Sequence, residues 1–151
     1  MQKLVSKSLE ETEKIARNFL KEISENKKEG GAIIVGLFGD LGSGKTSFVK
    51  GVAKTLGVEG SVSSPTFVIE KIYKLSDYEL ETHNFSHLIH IDAYRLSGGE
   101  ELKNLGWNEI ISNYKNIIFI EWPENVEEVL PKEIKKINFK FIDENTREII
   151  Y

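Results

Sequence analysis

At 151 residues, with 40% hydrophobic and 29% charged side chains, the chain suits one compact domain with a buried core, and its composition excludes wholesale disorder. It has no cysteine, which removes disulfides, thiolate zinc sites and cysteine nucleophiles, and its formal net charge of -4 lacks the basic excess of a protein built mainly to grip nucleic acid. No apolar stretch approaches the ~18 residues of a membrane span and the N-terminal segment is charged, so the expected location is the cytoplasm, with no membrane contact.

Ser6 or Ser8 is placed to cap a first helix whose apolar stripe runs through Leu9, Ile15 or Ala16, Phe19, Leu20 and Ile23, and Asn26 to Gly31 supplies the turn that ends it. Ala32 to Phe38 is a nearly continuous apolar run, the pattern of a strand covered on both faces. Lys45 to Leu56 has helical spacing through Phe48, Val52, Ala53 and Leu56, with Gly57 as its stop. Phe67 to Leu75 and Leu88 to Tyr94 are rich in β-branched and aromatic residues and are predicted to pair antiparallel, while the polar Ser76 to Asn84 connection reads as a mobile hairpin loop.

Gly99 to Leu105 and Trp107 to Tyr114 read as short helical turns, and Asn116 to Glu121 as a second buried strand stopped by Pro123. Glu124 to Leu130 is a short helix before Pro131; Ile137, Phe139 and Phe141 then alternate with polar residues in a strand expected to pair with Thr146 to Tyr151. Lys132, Lys135, Lys136 and Lys140 fall on the solvated side of that strand rather than on a binding face. The order of elements predicts a single α/β domain of three layers around a mixed, partly parallel sheet.

Between the first strand and the second helix stands Gly39-Asp40-Leu41-Gly42-Ser43-Gly44-Lys45-Thr46, followed by Ser47. Glycines at these positions let the backbone turn sharply and aim several N–H groups at one point, where a helix N-terminus adds positive potential, so phosphate is the expected ligand. In that arrangement Lys45 bridges the β and γ phosphates and the Thr46 hydroxyl supplies a ligand to an octahedral magnesium ion. The expected cofactors are therefore ATP and Mg2+, adenine being preferred because no Asn-Lys-x-Asp guanine-recognition sequence occurs.

A second acid is needed at the end of a neighbouring strand. Glu121, directly after Ile117 to Ile120, is the candidate metal partner of Thr46; a solvated strand-terminal acid is the plainer reading. Thr66, in Ser63-Ser64-Pro65-Thr66-Phe67, is either a switch threonine that senses the γ phosphate or part of a turn opening a strand. Asp92 either orients a water near the metal or pairs with Arg95, and Trp122 is a core anchor or an aromatic lid. His83, His87 and His90 have spacings that would gather zinc on a helix, but on a strand His87 and His90 point to opposite faces, so no metal site is expected there.

With GDLGSGKTSF, SSPTF, HIDAYRL and IEWPE in that order, the chain from Ser6 to Phe141 resembles the bacterial TsaE family, the small P-loop ATPase of tRNA threonylcarbamoyladenosine biosynthesis. The resemblance implies a P-loop NTPase-like fold and an ATPase, slow alone, that assists TsaD and TsaB at adenosine 37 of tRNAs reading codons that begin with adenine. Hydrolysis resets that complex, tRNA is met only indirectly, and weak self-association is compatible with it. It implies that Lys45, Thr66, Asp92 and Glu121 are the catalytic group, that Trp122 belongs with them, and that the Ser8 to Thr12 stretch, including Leu9 and Thr12, lies near adenine. Ala93 in place of leucine and Ser43 in place of alanine depart from the family pattern without removing a chemical group, and the connection between Lys71 and His87 is longer than usual. The competing reading is a small-molecule or nucleoside kinase with Asp92 as base and Arg95 on the acceptor.

Overall fold

A computed structural model of the chain describes residues 1–60 and 69–151. The described elements are β1 (Lys3–Ser6), α1 (Leu9–Glu25), β2 (Ile33–Phe38), α2 (Lys45–Thr55), β3 (Glu70–Lys74), α3 (Asp77–His83), β4 (His87–Asp92), α4 (Glu100–Asn104), α5 (Trp107–Ser112), β5 (Asn116–Glu121), a 3-10 segment (Pro123–Val129), β6 (Lys135–Phe141) and β7 (Arg147–Ile150). The strands form one seven-stranded sheet in the order β1-β7-β6-β2-β5-β4-β3. The middle of the sheet, β6-β2-β5-β4, is parallel, and β3, β7 and β1 are added antiparallel at its two sides.

Burial explains why these runs are strands. Every residue of β5 is buried, as the continuous apolar run Ile117 to Ile120 requires of a central strand with both faces covered. In β6 only Ile137 and Phe139 are buried, and Lys136 and Lys140 lie on the opposite, solvated face as expected. Phe141, expected to point inward with Ile137 and Phe139, is 50% exposed because the strand runs past the cover of the helices there, and Lys135 at its other end is exposed too. On one side of the sheet, Ala16, Phe19, Leu20 and Ile23 of α1 and Phe48, Val49, Val52 and Ala53 of α2 pack on Val35, Leu37, Ile117 and Phe119. On the other, Leu102 of α4, Trp107 of α5 and Val126 pack on Ile34, Ile89, Ile91, Ile118 and Ile120. The three-layer, mixed, partly parallel domain is the one expected.

One alternative is settled and two local expectations change. Ser6 ends a short strand rather than capping a helix; the cap of α1 is Ser8, whose hydroxyl accepts from Glu11 N at 3.1 Å while the Glu11 carboxylate accepts from Lys7 N at 2.6 Å. Leu9 is 65% exposed and turned away from the core stripe; the position one turn on is the buried Thr12. The connection expected as a mobile loop contains the helix α3, capped by the Ser76 hydroxyl at its start, braced by Glu79 and His83 one turn apart, and closed by Asn84 at φ 60.

Candidate nucleotide site

The carboxyl ends of β2, β5 and β4 come out level, with Leu37 opposite Glu121 and Glu121 opposite Asp92, so the chain after each strand opens on one crevice. The first of these exits is the glycine loop. A Cβ on Gly39, at φ 143, would stand 2.5 Å from the Phe139 carbonyl oxygen and 2.8 Å from Ser43 Oγ, which only glycine avoids. Gly44, at φ 104, turns the chain into α2, and no side chain caps that helix. Its first-turn N–H groups are therefore directed into the crevice, where an anion can accept from them.

The crevice has a volume of about 350 Å³. Its floor is Leu41 to Ser47; Ser8, Leu9 and Thr12 from the start of α1 form one wall, and Asp92, Tyr94, Glu121 and Trp122 form another. The expected phosphate, adenine-side and acidic residues thus meet in one place, with Asp40 contributing its backbone: its carbonyl oxygen accepts from Lys45 Nζ at 2.8 Å and its side chain is exposed. Thr66 lies outside the described residues.

Lys45 is 4% exposed, and its Nζ also donates to the Gly39 carbonyl at 2.5 Å and lies 4.6 Å from the centre of the Trp122 ring. Burial lowers its pKa from the ordinary 10.5, while Glu121, Asp92, Glu124 and Asp40 pull it back up. A cation held near acids and stripped of water is suited to meeting a more highly charged anion.

Glu121 is 4% exposed and is no solvated strand-end acid. Its Oε1 accepts from the Thr46 hydroxyl at 2.8 Å and stands 2.8 Å from His90 Nε2. Because Thr46 gives its proton to Glu121, the lone pairs of its hydroxyl remain for a cation. Among the described residues no group of three or more His, Cys, Asp or Glu side chains could hold a metal ion, and His83, His87 and His90 do not converge on one. Thr46 and Glu121 fit a hard cation that takes its remaining oxygens from phosphate and water, as magnesium does.

Asp92 is buried at the cleft wall and accepts from Tyr94 N at 2.9 Å, while Ala93 N donates to the Glu121 carbonyl at 3.0 Å, tying the two acidic strand ends together. Arg95 is exposed and outside the cleft lining. Trp122 is half-buried: it packs beside the α4 and α5 core, and its ring, 5.0 Å from that of Tyr94, lines the cleft. Its φ of 58 and ψ of 49 are unusual for a bulky residue and cost on the order of 1 kcal/mol, a strain found mainly where a site requires it.

Two contributors escape sequence reasoning. Arg147, on β7, donates from Nε to the Gly42 carbonyl at 3.2 Å and lines the cleft with Glu144 and Asn145 of the β6-β7 hairpin. His90 is fully buried behind Glu121. Both contacts join residues distant in the chain, and the only sequence hint is a histidine interrupting the apolar run of β4.

Fold and loop together define the class, a P-loop NTPase-like protein with its site at the carboxyl edge of the parallel strands. The family model of the threonylcarbamoyl adenosine biosynthesis protein TsaE matches residues 6–149. A protein of Rickettsia typhi named tRNA threonylcarbamoyladenosine biosynthesis protein TsaE is 36% identical over 137 residues, covering 90% of this chain and 87% of the relative. A protein of the same name from Borreliella burgdorferi is 39% identical over 107 residues, 70% of this chain and 72% of the relative. Among solved structures, a crystal structure of Bacillus subtilis YdiB superposes with a TM-score of 0.65 at 29% identity, covering 98% of this chain and 82% of that one. The chain belongs to the TsaE family.

Proposed function

We propose that this protein is a magnesium-dependent ATPase acting as an accessory subunit in tRNA threonylcarbamoyladenosine formation, with TsaD and TsaB as its partners in the cytoplasm. Family membership supports the pathway and does not favour the kinase reading. The observation that carries the ATPase is the 2.8 Å hydrogen bond from Thr46 to Glu121, which closes the far side of the glycine loop with an acid. The described helices include none long and apolar enough to cross a membrane.

On this reading the α2 N-terminus and the loop amides hold the phosphates, and Lys45 moves its ammonium from the Gly39 and Asp40 carbonyls to the phosphate oxygens. Thr46 and Glu121 would hold magnesium, which would supply positive charge against the phosphates. Asp92 orients the attacking water, and Thr66 senses the γ phosphate. Leu9 offers the adenine an apolar face, the Thr12 hydroxyl being engaged with Ser6 Oγ at 2.7 Å, and Trp122 closes over the site.

ATP hydrolysis measured with and without Mg2+, and with and without TsaB and TsaD, tests the proposal. Turnover should be slow for the isolated chain, should need magnesium, and should change when the two partners are added. Glu121→Ala should bind nucleotide yet lose hydrolysis by about 10-fold to 100-fold. An isolated rate indifferent to the partners would remove the accessory role, and full activity in Glu121→Ala would remove its metal role.

A further inference from the structure

A histidine with no exposed surface stands in the middle of β4, on the face covered by α1 and α2, where Leu88 two residues earlier is an ordinary core residue. An apolar side chain would fill such a position without polar cost. Instead the imidazole places Nε2 2.8 Å from Glu121 Oε1, while its Nδ1 is buried with no hydrogen-bond partner among the described residues. An unsatisfied buried polar atom costs stability, so stability alone does not explain the choice. An ionised carboxylate only accepts, which makes Nε2 the donor and leaves Nδ1 as the bare nitrogen, the cheaper of the two to leave unmatched.

The bond's direction explains what the histidine accomplishes. Glu121 Oε1 is bonded from Thr46 on α2 and from His90 on β4, two separate elements converging on one oxygen. One bond from the Thr46 hydroxyl, which itself faces the cleft, leaves the carboxylate able to turn about that contact, so it cannot alone fix the glutamate. His90, immobilised by the core, can. We propose that His90 is a positioning residue that locks the Glu121 carboxylate in its cleft-facing orientation before magnesium binds, and thereby sets the affinity for magnesium rather than that for nucleotide. This rests on the reading of Glu121 and Thr46 as the metal site.

The test is calorimetric titration of ADP into the chain, without magnesium and across a magnesium series, for wild type, His90→Leu, His90→Asn and His90→Gln. Glutamine can present its amide nitrogen near the place of Nε2, whereas asparagine is too short, so the pair separates donation from polarity. Leucine and asparagine should each raise the magnesium needed for half-maximal tightening by about tenfold, the lower end of the usual cost of losing a group that orients a metal ligand. Magnesium-free ADP affinity should stay at the wild-type value, and glutamine should recover most of the loss. Asparagine keeps the experiment decisive if leucine disturbs folding. Unchanged magnesium dependence in the leucine and asparagine variants would overturn the proposal, as would an equal loss of affinity with and without magnesium, because that is how a packing defect in the loop behaves. A wild-type chain whose ADP affinity ignores magnesium would overturn the metal site itself, a result visible before any variant is made.

Discussion

Lys45 combines the greatest local cost with the most direct role. Its pKa is lowered because burial strips water from the ammonium, and the nearby acids only partly offset this. For a base with a folded pKa below the unfolded value, the unfolded chain binds the extra proton. The penalty is therefore present in full below the lowered pKa and fades as pH climbs toward 10.5. Lys45→Met should compare most favourably with wild type in stability near neutral pH, and that relative advantage should shrink by pH 10; denaturant midpoints of both proteins at the two pH values check this. The same variant should lose nucleotide binding. At this scale the sequence was most informative where chemistry is local: loop, Lys45 and Thr46 are contiguous, and Glu121 follows an apolar run whose end is visible. His90 and Arg147 were invisible as site residues because their contacts span 31 and 105 positions of chain and depend on strand register, which no single-sequence pattern supplies.

The two helices over the site-bearing face meet at a glycine. A Cβ on Gly51 of α2 would stand 3.0 Å from Glu13 Cα and 3.1 Å from Ala16 Cβ of α1, so the helices approach as closely as they do because that position is bare. Their contact is reinforced at the surface by Lys54 and Glu13 at 2.8 Å, an exposed pair worth at most about 1 kcal/mol. Gly51→Leu should thus lose about 1–3 kcal/mol of stability by overpacking, read as a shifted urea midpoint, whereas Lys54→Ala should barely move it. The long, periodic elements α1, α2, β2 and β5 were legible because each buries a recognisable stripe or run. β1 and α3 were not. A four-residue edge strand and a seven-residue helix are too short to show a period, and α3 has only Glu79 buried. β1 is held by its antiparallel pairing with the distant β7, and α3 rests on its own Ser76 cap rather than on an apolar stripe.

The core and the site are built from the same few elements, and this ties stability to nucleotide affinity unevenly across the sheet. Phe48 lies three residues after Lys45 and packs edge-on against Phe19 of α1 and Phe139 of β6, with Phe119 of β5 at 6.5 Å. Phe119 stands two residues before Glu121, on the same face of the same strand. One aromatic cluster therefore fixes how α2, which starts the phosphate loop, stands over β5, which ends in the acid. Trp107 holds the opposite layer: its ring is buried among α4, α5 and the sheet, and its Nε1 donates to the Val129 carbonyl at 2.9 Å. Phe48→Ala and Trp107→Ala should each cost about 3–5 kcal/mol. Their effects on binding should differ. With Phe48 truncated, α2 can settle toward the vacated space and the Thr46 to Glu121 distance is no longer imposed, so the folded fraction should bind ADP with magnesium at least tenfold more weakly, because misplacing a ligand-orienting group has that scale of effect. With Trp107 truncated, the face carrying His90, Asp92 and Glu121 retains its packing and only the core beneath Trp122 is loosened, so affinity per folded molecule should fall less than in Phe48→Ala. Titrating both variants at a temperature where each is folded, after measuring their urea midpoints, separates the two; equal losses of affinity would mean that the sheet transmits strain from either layer to the site alike.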